Sequence, residues 1–217
     1  TYRNFDLVKR SLYILAGTCT DIGLVGTCSF EKPEPVRGGN SILDYTALFA
    51  PTVLEYLEAS GHRATAEDLW PLVVKQLDFT LEPVNPEGLL ITPKSWWCFI
   101  DWHRTLDKQA PEHAVVLFGL KATQRLAERL GKTQEVAFIP ALVARMEESA
   151  RKSLWDEQQG LFVSGPKREV SWASQAWMVL PGRPGAQCKP SSTARPPRSP
   201  SRPTCTTTSW RRCRPRA

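Results

Sequence analysis

Three tryptophans fall within seven positions of the stretch Trp96-Trp97-Cys98-Phe99-Ile100-Asp101-Trp102-His103, which also carries a carboxylate and an imidazole. Neither a helical nor a strand period accounts for that spacing. The stretch follows the turn Pro93-Lys94-Ser95 and precedes a helix start, so it is read as a loop. The chemistry it offers is saccharide recognition: indole faces stack on the apolar C–H face of a sugar ring, and a fixed carboxylate orients hydroxyls. The competing reading is architectural, with the tryptophans plugging a helical core and Asp101 capping a neighbouring element.

Other reactive side chains offer less. His103 and His113 have no second ligand at helical spacing, so no metal site is expected. His103 reads as a hydrogen-bonding loop residue, with a sugar-hydroxyl contact as the lesser alternative, and Glu112, at a helix start, as a partner of the helix dipole, with a pocket role as the lesser alternative. Trp172 and Trp177, five apart on the last helix, read as core. No phosphate-cradling glycine loop and no Ser/His/Asp set is present, and no cofactor is expected.

The elements that must position the aromatic stretch are mostly helices. Phe5, Val8, Leu12 and Leu15 mark a first helix, with Asn4 as N-cap and Gly17 as the residue just past its end. Residues 18–40 hold Gly23, Gly26, Gly38, Gly39, Pro33 and Pro35 and read as loop, with a short strand over Leu24–Phe30. A strongly periodic helix spans Ile42–Ala59 and stops at Gly61, and Thr65 caps the next, with Glu67 and Asp68 in its first turn. Pro111 opens a helix that runs to Gly131, Thr133 opens one through Met146, and the last begins near Ser171.

A repeat runs through these elements. Asp21-Ile22-Gly23-Leu24, Pro86-Glu87-Gly88-Leu89 and Gln158-Gln159-Gly160-Leu161 each follow a helix and precede a short apolar run. Gly23 and Gly88 are 65 apart, Gly88 and Gly160 are 72 apart, and two helices fall in each interval. A helix pair with one decorated loop, repeated at that period, predicts an all-α closed or solenoidal array. The long loops then share one rim, and Asp44-Tyr45 at the start of the second helix faces the same cavity or serves only as a first-turn acid.

In chain order, Asn4-Phe5-Asp6-Leu7-Val8-Lys9-Arg10, Leu43-Asp44-Tyr45, the stretch Trp96 to Trp102 and Ser174-Gln175 resemble the catalytic domain of bacterial α-L-rhamnosidases. The resemblance covers roughly residues 1–180, and its most specific element is the pair Asp101-Trp102. It implies an incomplete (α/α)6 toroid of six-hairpin type, a carbohydrate substrate, and substrate contact for Asp101, Trp102, Trp97 and Asp44. The family's tryptophan two residues before the Asp44 position is Ile42 here.

Inverting glycosidases place a general acid and a general base about 6.5–9.5 Å apart. By the resemblance, the acid belongs to a motif upstream of Thr1 and the base lies beyond the Ser174-Gln175 helix, so neither is carried over. The expectation is an enzyme segment inactive by itself. The alternative is a non-catalytic α/α carbohydrate-binding or scaffold protein using the same rim.

Charge separates this helical body from the C-terminal segment. Nine of the 28 basic residues lie after Leu180 with no acid among them, which leaves the first 180 residues 19 bases against all 22 acids. The overall +6 therefore belongs to residues 181–217, where eight prolines and almost no aliphatic side chain fall. Such a composition cannot bury a core. The expectation is a disordered tail or an out-of-frame product of a GC-rich gene. A basic nucleic-acid-binding tail is the weaker alternative, because the body has no basic stripe. The cysteines lack paired spacing, which favours reduced thiols and a cytoplasmic setting, and no apolar run reaches membrane-spanning length.

Overall fold

A computed structural model of the chain describes residues 4–31, 33–93, 96–100 and 105–182. They form six α-helices with two small hairpins: α1 Phe5–Gly17, β1 Cys28–Phe30, β2 Val36–Gly38, α2 Leu43–Ser60, α3 Arg63–Thr80, α4 Gln109–Leu130, α5 Ile139–Ser153, β3 Trp155–Asp156, β4 Leu161–Phe162 and α6 Trp172–Val179. The two sheets among the described residues have two strands each. The chain is thus mostly helical, as its periodicity predicts.

Helix α4 lies at the centre and packs on α2, α3, α5 and α6. Its stretch Ala110–Leu117 is entirely buried. The contact with α2 is closest at Gly119, where a Cβ would come within 2.5 Å of the Ala47 carbonyl oxygen. Pro51 explains why that carbonyl is approachable. Proline has no N–H, so Ala47 loses its usual i+4 helical donor and its oxygen faces the bare Gly119 backbone.

Helix ends show where local rules held. Asn4 Oδ1 accepts from the Leu7 N–H at 3.1 Å, the expected N-cap. Gly61 and Gly131 end α2 and α4 in the left-handed conformation, with φ of 73° and 74°. Ser171 caps α6 through the Ser174 N–H at 3.0 Å. Others differ. Gly17 is the last helical residue of α1, and Thr18 closes the helix by donating both its N–H and its hydroxyl to Ile14 O. Thr65 caps nothing: α3 already starts at Arg63, and Thr65 is buried inside its first turn. The Arg63 guanidinium faces the other way, donating to the last carbonyls of α4, Arg129 O at 2.6 Å and Leu130 O at 2.9 Å.

Packing corrects other expectations. The helix expected from Thr133 is two pieces, a 3₁₀ turn at Thr133–Val136 and then α5, which restarts around Pro140 near its first turn. The strand expected over Leu24–Phe30 shortens to β1, paired antiparallel with β2 in the register Cys28 to Gly38. Val8 is 41% exposed and Trp172 77%, so neither is core. Both sit on outer faces of the first and last described helices, while Leu12 and Met178 turn inward.

The three Gly-Leu turns share one construction. Gly23, Gly88 and Gly160 have φ of 81°, 83° and 64°, values that disfavour any side chain. In the first two turns a polar residue three positions earlier ties the loop. Thr20 and Asn85 each use the leucine after the glycine twice: the Asn85 N–H donates to Leu89 O, the Thr20 N–H donates to Leu24 O, and each side-chain oxygen accepts that leucine's N–H. In the third, Asp156 Oδ1 accepts from the N–H groups of Gln158 and Gln159, and Asp156 pairs with Leu161. No described helix is long and apolar enough to cross a membrane.

Candidate functional site

The described part of the aromatic stretch, residues 96–100, alternates outward and inward. Trp97 and Phe99 are 56% and 41% exposed, whereas Cys98 and Ile100 are buried. Trp96 is held by a stack on Phe79, near the end of α3, with ring centroids 4.6 Å apart and planes 16° from parallel. Trp97 meets the edge of Phe99 at 5.7 Å, and Phe99 meets Tyr45 of α2 at 5.9 Å. The exposed rings thus form a connected row from the loop to the start of α2.

Polar groups beneath the row hold it down. Asp44, in the first turn of α2, is buried and accepts the Phe99 N–H on Oδ2 at 2.9 Å. Its Oδ1 has no hydrogen-bond partner among the described residues. Burial pushes the Asp44 carboxyl above its ordinary pKa; the Phe99 N–H and the Lys108 charge pull the other way. Lys108 Nζ donates to Cys98 O at 3.3 Å, the other end of the peptide group that Asp44 holds. Glu112 is buried in the first turn of α4, where the Thr92 hydroxyl donates to Oε2 and the Cys98 thiol is a second partner. Burial raises the Glu112 pKa as well, and Asp44 adds to the rise.

His113 is fully buried and structural. Its Nδ1 accepts the Leu90 N–H at 3.3 Å, so the neutral ring carries its hydrogen on Nε2 and donates to Met146 O at 3.1 Å. Burial pushes its pKa down to about 4. It fastens the run before the aromatic loop to α4 and α5. The described residues contain no group of three or more His, Cys, Asp or Glu side chains suited to a metal ion.

Of the four expected site residues, the structure brings Asp44 and Trp97 to one loop through Phe99. Asp101 and Trp102, with His103, lie outside the described residues. Sequence reading missed Lys108 and favoured a dipole role for Glu112 over a place in the pocket. The available signal was an ionisable pair, Glu112-His113, set in the otherwise apolar opening of α4. Beside Trp97 lies a cleft of about 350 Å³, lined by Trp96, Trp97, Phe79, Thr27 and the segment 39–43.

A helical array with solvent-facing aromatic rings on a polar-strapped loop offers stacking surfaces of the kind that saccharide recognition uses. Among solved structures, the chain is similar to a rhamnosidase from Klebsiella oxytoca determined with rhamnose bound, at 35% identity and a TM-score of 0.79, over 83% of this chain and 35% of that one. A GH78-family rhamnosidase of Bacillus sp. GL1 shares the fold, with a TM-score of 0.66 at 22% identity over 82% of this chain and 19% of that one. The rhamnosidase resemblance drawn from the sequence is therefore borne out: the chain is similar in sequence and fold to part of a rhamnosidase. It spans about a third of the length of the Klebsiella protein. No protein-family model matches the chain, and no curated protein sequence does.

Proposed function

We propose that residues 1–180 form part of an (α/α)6 toroid whose loop rim binds the terminal unit of an α-L-rhamnoside, for hydrolysis with inversion. The observation that carries this reading is the strapped aromatic loop: Asp44 and Lys108 hold the two ends of one peptide group, the Phe99 N–H and the Cys98 C=O, next to the solvent-facing Trp97 ring. A rigid exposed ring is what stacking on a sugar face requires. The likeness to a rhamnosidase at 35% identity supports the sugar, and the three recurring Gly-Leu turns support the hairpin array. Asp101, Trp102 and Asp44 join Trp97 as sugar contacts in this reading. The free thiols of Cys19, Cys28 and Cys98 fit a reducing, cytoplasmic setting.

The reading gives this chain the sugar-positioning walls and not the acid and base. Asp44 and Glu112, the buried carboxyls of the site, are engaged in holding the loop. Without a general acid the leaving oxygen departs as an alkoxide, and without a base the attacking water keeps its proton. Each group contributes roughly 10²–10⁴-fold, so the chain by itself turns over an aryl α-L-rhamnoside no faster than background. Binding remains. In ligand-observed NMR, saturation passes from the whole chain to the ring protons of methyl α-L-rhamnoside, and Trp97→Ala or Asp101→Asn weakens the transfer. Equal transfer to an unrelated α-D-glucoside would sink the rhamnoside assignment. Turnover that survives purification controls would overturn the division of labour.

A further inference from the structure

The turn between β4 and α6 is built more tightly than a surface connection requires. Ser164 and Glu169 exchange both backbone hydrogen bonds, at 2.8 and 2.9 Å, which closes the loop from Gly165 to Arg168. Arg168 has a φ of 51°, the only positive value at a non-glycine position among the described residues. Its guanidinium donates to Trp155 O at 3.4 Å and to Asp156 Oδ2 at 3.3 Å, which latches the turn to β3. A side chain stays in that conformation only where its surroundings overdetermine it.

The turn grips the lead into α4 at three points. Glu169 Oε2 accepts the Asp107 N–H at 2.7 Å. The Asp107 carboxylate rests on Gly165, where a Cβ would collide with Oδ2, so it fills a notch that only glycine leaves open. Buried Ser164 Oγ accepts the Ala110 N–H at 3.1 Å. The helix start itself is served without Glu169: Asp107 Oδ1 accepts the Gln109 N–H at 2.9 Å, and Lys108 O accepts the Glu112 N–H at 3.0 Å. The Asp107 N–H precedes α4 and is not one of its open donors. Glu169 therefore fixes the residue before Lys108 and not the helix.

Lys108 is the side chain that gains from this. Its Nζ docks on Cys98 O at 3.3 Å, and its charge lowers the pKa of both buried carboxyls, Asp44 and Glu112. A flexible four-carbon stem can end in many places, so a single docked position depends on where the backbone starts it. We infer that Glu169 is a positioning residue for the aromatic loop, 62 positions from the backbone it holds. It fixes Asp107 so that Lys108 reaches the Cys98–Phe99 peptide and Trp97 keeps its solvent-facing place. For sugar binding the inference rests on the proposed function; for the placement of Trp97 it does not.

The test uses the whole chain labelled with 5-fluorotryptophan, with the Trp97 fluorine resonance assigned by its loss in Trp97→Phe. The dissociation constant for methyl α-L-rhamnoside is measured on the same samples. Glu169→Ala is expected to shift the Trp97 resonance and to weaken binding about fivefold. Glu169→Asp keeps the charge but stops one methylene short of the Asp107 N–H, and is expected to do the same. Glu169→Gln, whose amide oxygen can accept that N–H, keeps the wild-type resonance and affinity. Adding Glu169→Ala to Lys108→Met weakens binding no further than Lys108→Met alone, because the first change acts through the second residue. Circular dichroism matching wild type confirms each fold; should Glu169→Ala not fold, Glu169→Asp against Glu169→Gln decides. A Trp97 resonance unmoved by the alanine and aspartate changes would overturn the inference. So would a glutamine variant that behaves like alanine, or additive losses in the double variant. A wild-type chain that does not bind the rhamnoside would overturn the proposed function, and the Trp97 resonance then decides the positioning role by itself.

Discussion

The α2–α4 seam and the aromatic loop lie next to each other and are held by opposite means. The seam is apolar and close: Val53, Leu54, Val116 and Leu120 are buried, and Gly119 lets the Ala47 carbonyl come against the α4 backbone. The loop buries only alternate residues and depends on donors and acceptors from elsewhere in the chain, at Asp44, Thr92, Lys108 and Glu112. A seam of this kind tolerates few changes of volume, whereas the loop tolerates few changes of polarity. A frame built by burial thus leaves a binding loop free to expose its rings, because the loop's position does not depend on burying them.

The sharpest way to break the seam is Gly119→Val. The new side chain meets a helix backbone, which cannot move aside as a flexible side chain would. The expected loss is about 3 kcal/mol or more, read as a lower urea midpoint, and sugar binding falls with it because α2 and α4 both support the loop. A variant as stable as wild type would show that the two helices do not meet this closely.

What the sequence made legible divides the same way. The helices of the seam were readable because burial imposes a period on Leu43–Ser60 and Gln109–Leu130, and because Gly61 and Gly131 mark their ends. The Gly-Leu turns were readable because a positive φ restricts the residue type. The loop's supports were not. Asp44 and Phe99 are 55 positions apart, and Thr92 and Glu112 are 20 apart, so no local pattern joins them. Thr65 was misread for a related reason: a threonine before two acids has the form of a cap, but Arg63 is drawn to the carbonyls of α4 and starts the helix earlier. Trp172 was placed inside on residue type alone, and type does not report which face of an end helix has a neighbour.

His113 joins the two regions, so its titration sharpens the comparison. Its folded pKa is lowered from 6.5 to about 4. The sign is that of a group buried neutral: its contribution is fully present above pH 6.5 and is lost as pH falls toward 4. The loss at full titration is on the order of 3 kcal/mol. Asp44 and Glu112 act in the reverse sense, since a raised carboxyl favours the fold as it gains its proton. Urea unfolding at pH 7 and pH 4.5 separates them. His113→Gln is expected to be less stable than wild type at pH 7 and to lose less on acidification. An identical loss in both proteins would mean that His113 is not the buried, neutral bridge.

The smallest effect is expected from Asp44→Asn, and it divides the two roles that Asp44 can have. The asparagine carbonyl oxygen can still accept the Phe99 N–H, so the loop keeps its strap. The substitution removes a carboxylate that burial disfavours, and it sets an amide N–H₂ near a position with no described partner. These effects oppose each other, leaving a net change within about 1 kcal/mol at pH 7. The pH dependence carries the sign. A raised carboxyl stabilises the fold below its unfolded pKa and loses that contribution as pH rises through the folded value. Asparagine therefore compares better with wild type at pH 7 than at pH 4. Binding of methyl α-L-rhamnoside then decides between strut and contact. If Asp44 only holds Phe99, Asp44→Asn binds the sugar as wild type does, while Asp44→Ala, which drops the strap, does not. If the carboxylate touches a sugar hydroxyl, Asp44→Asn weakens binding severalfold with the fold intact, the result that the proposed function requires.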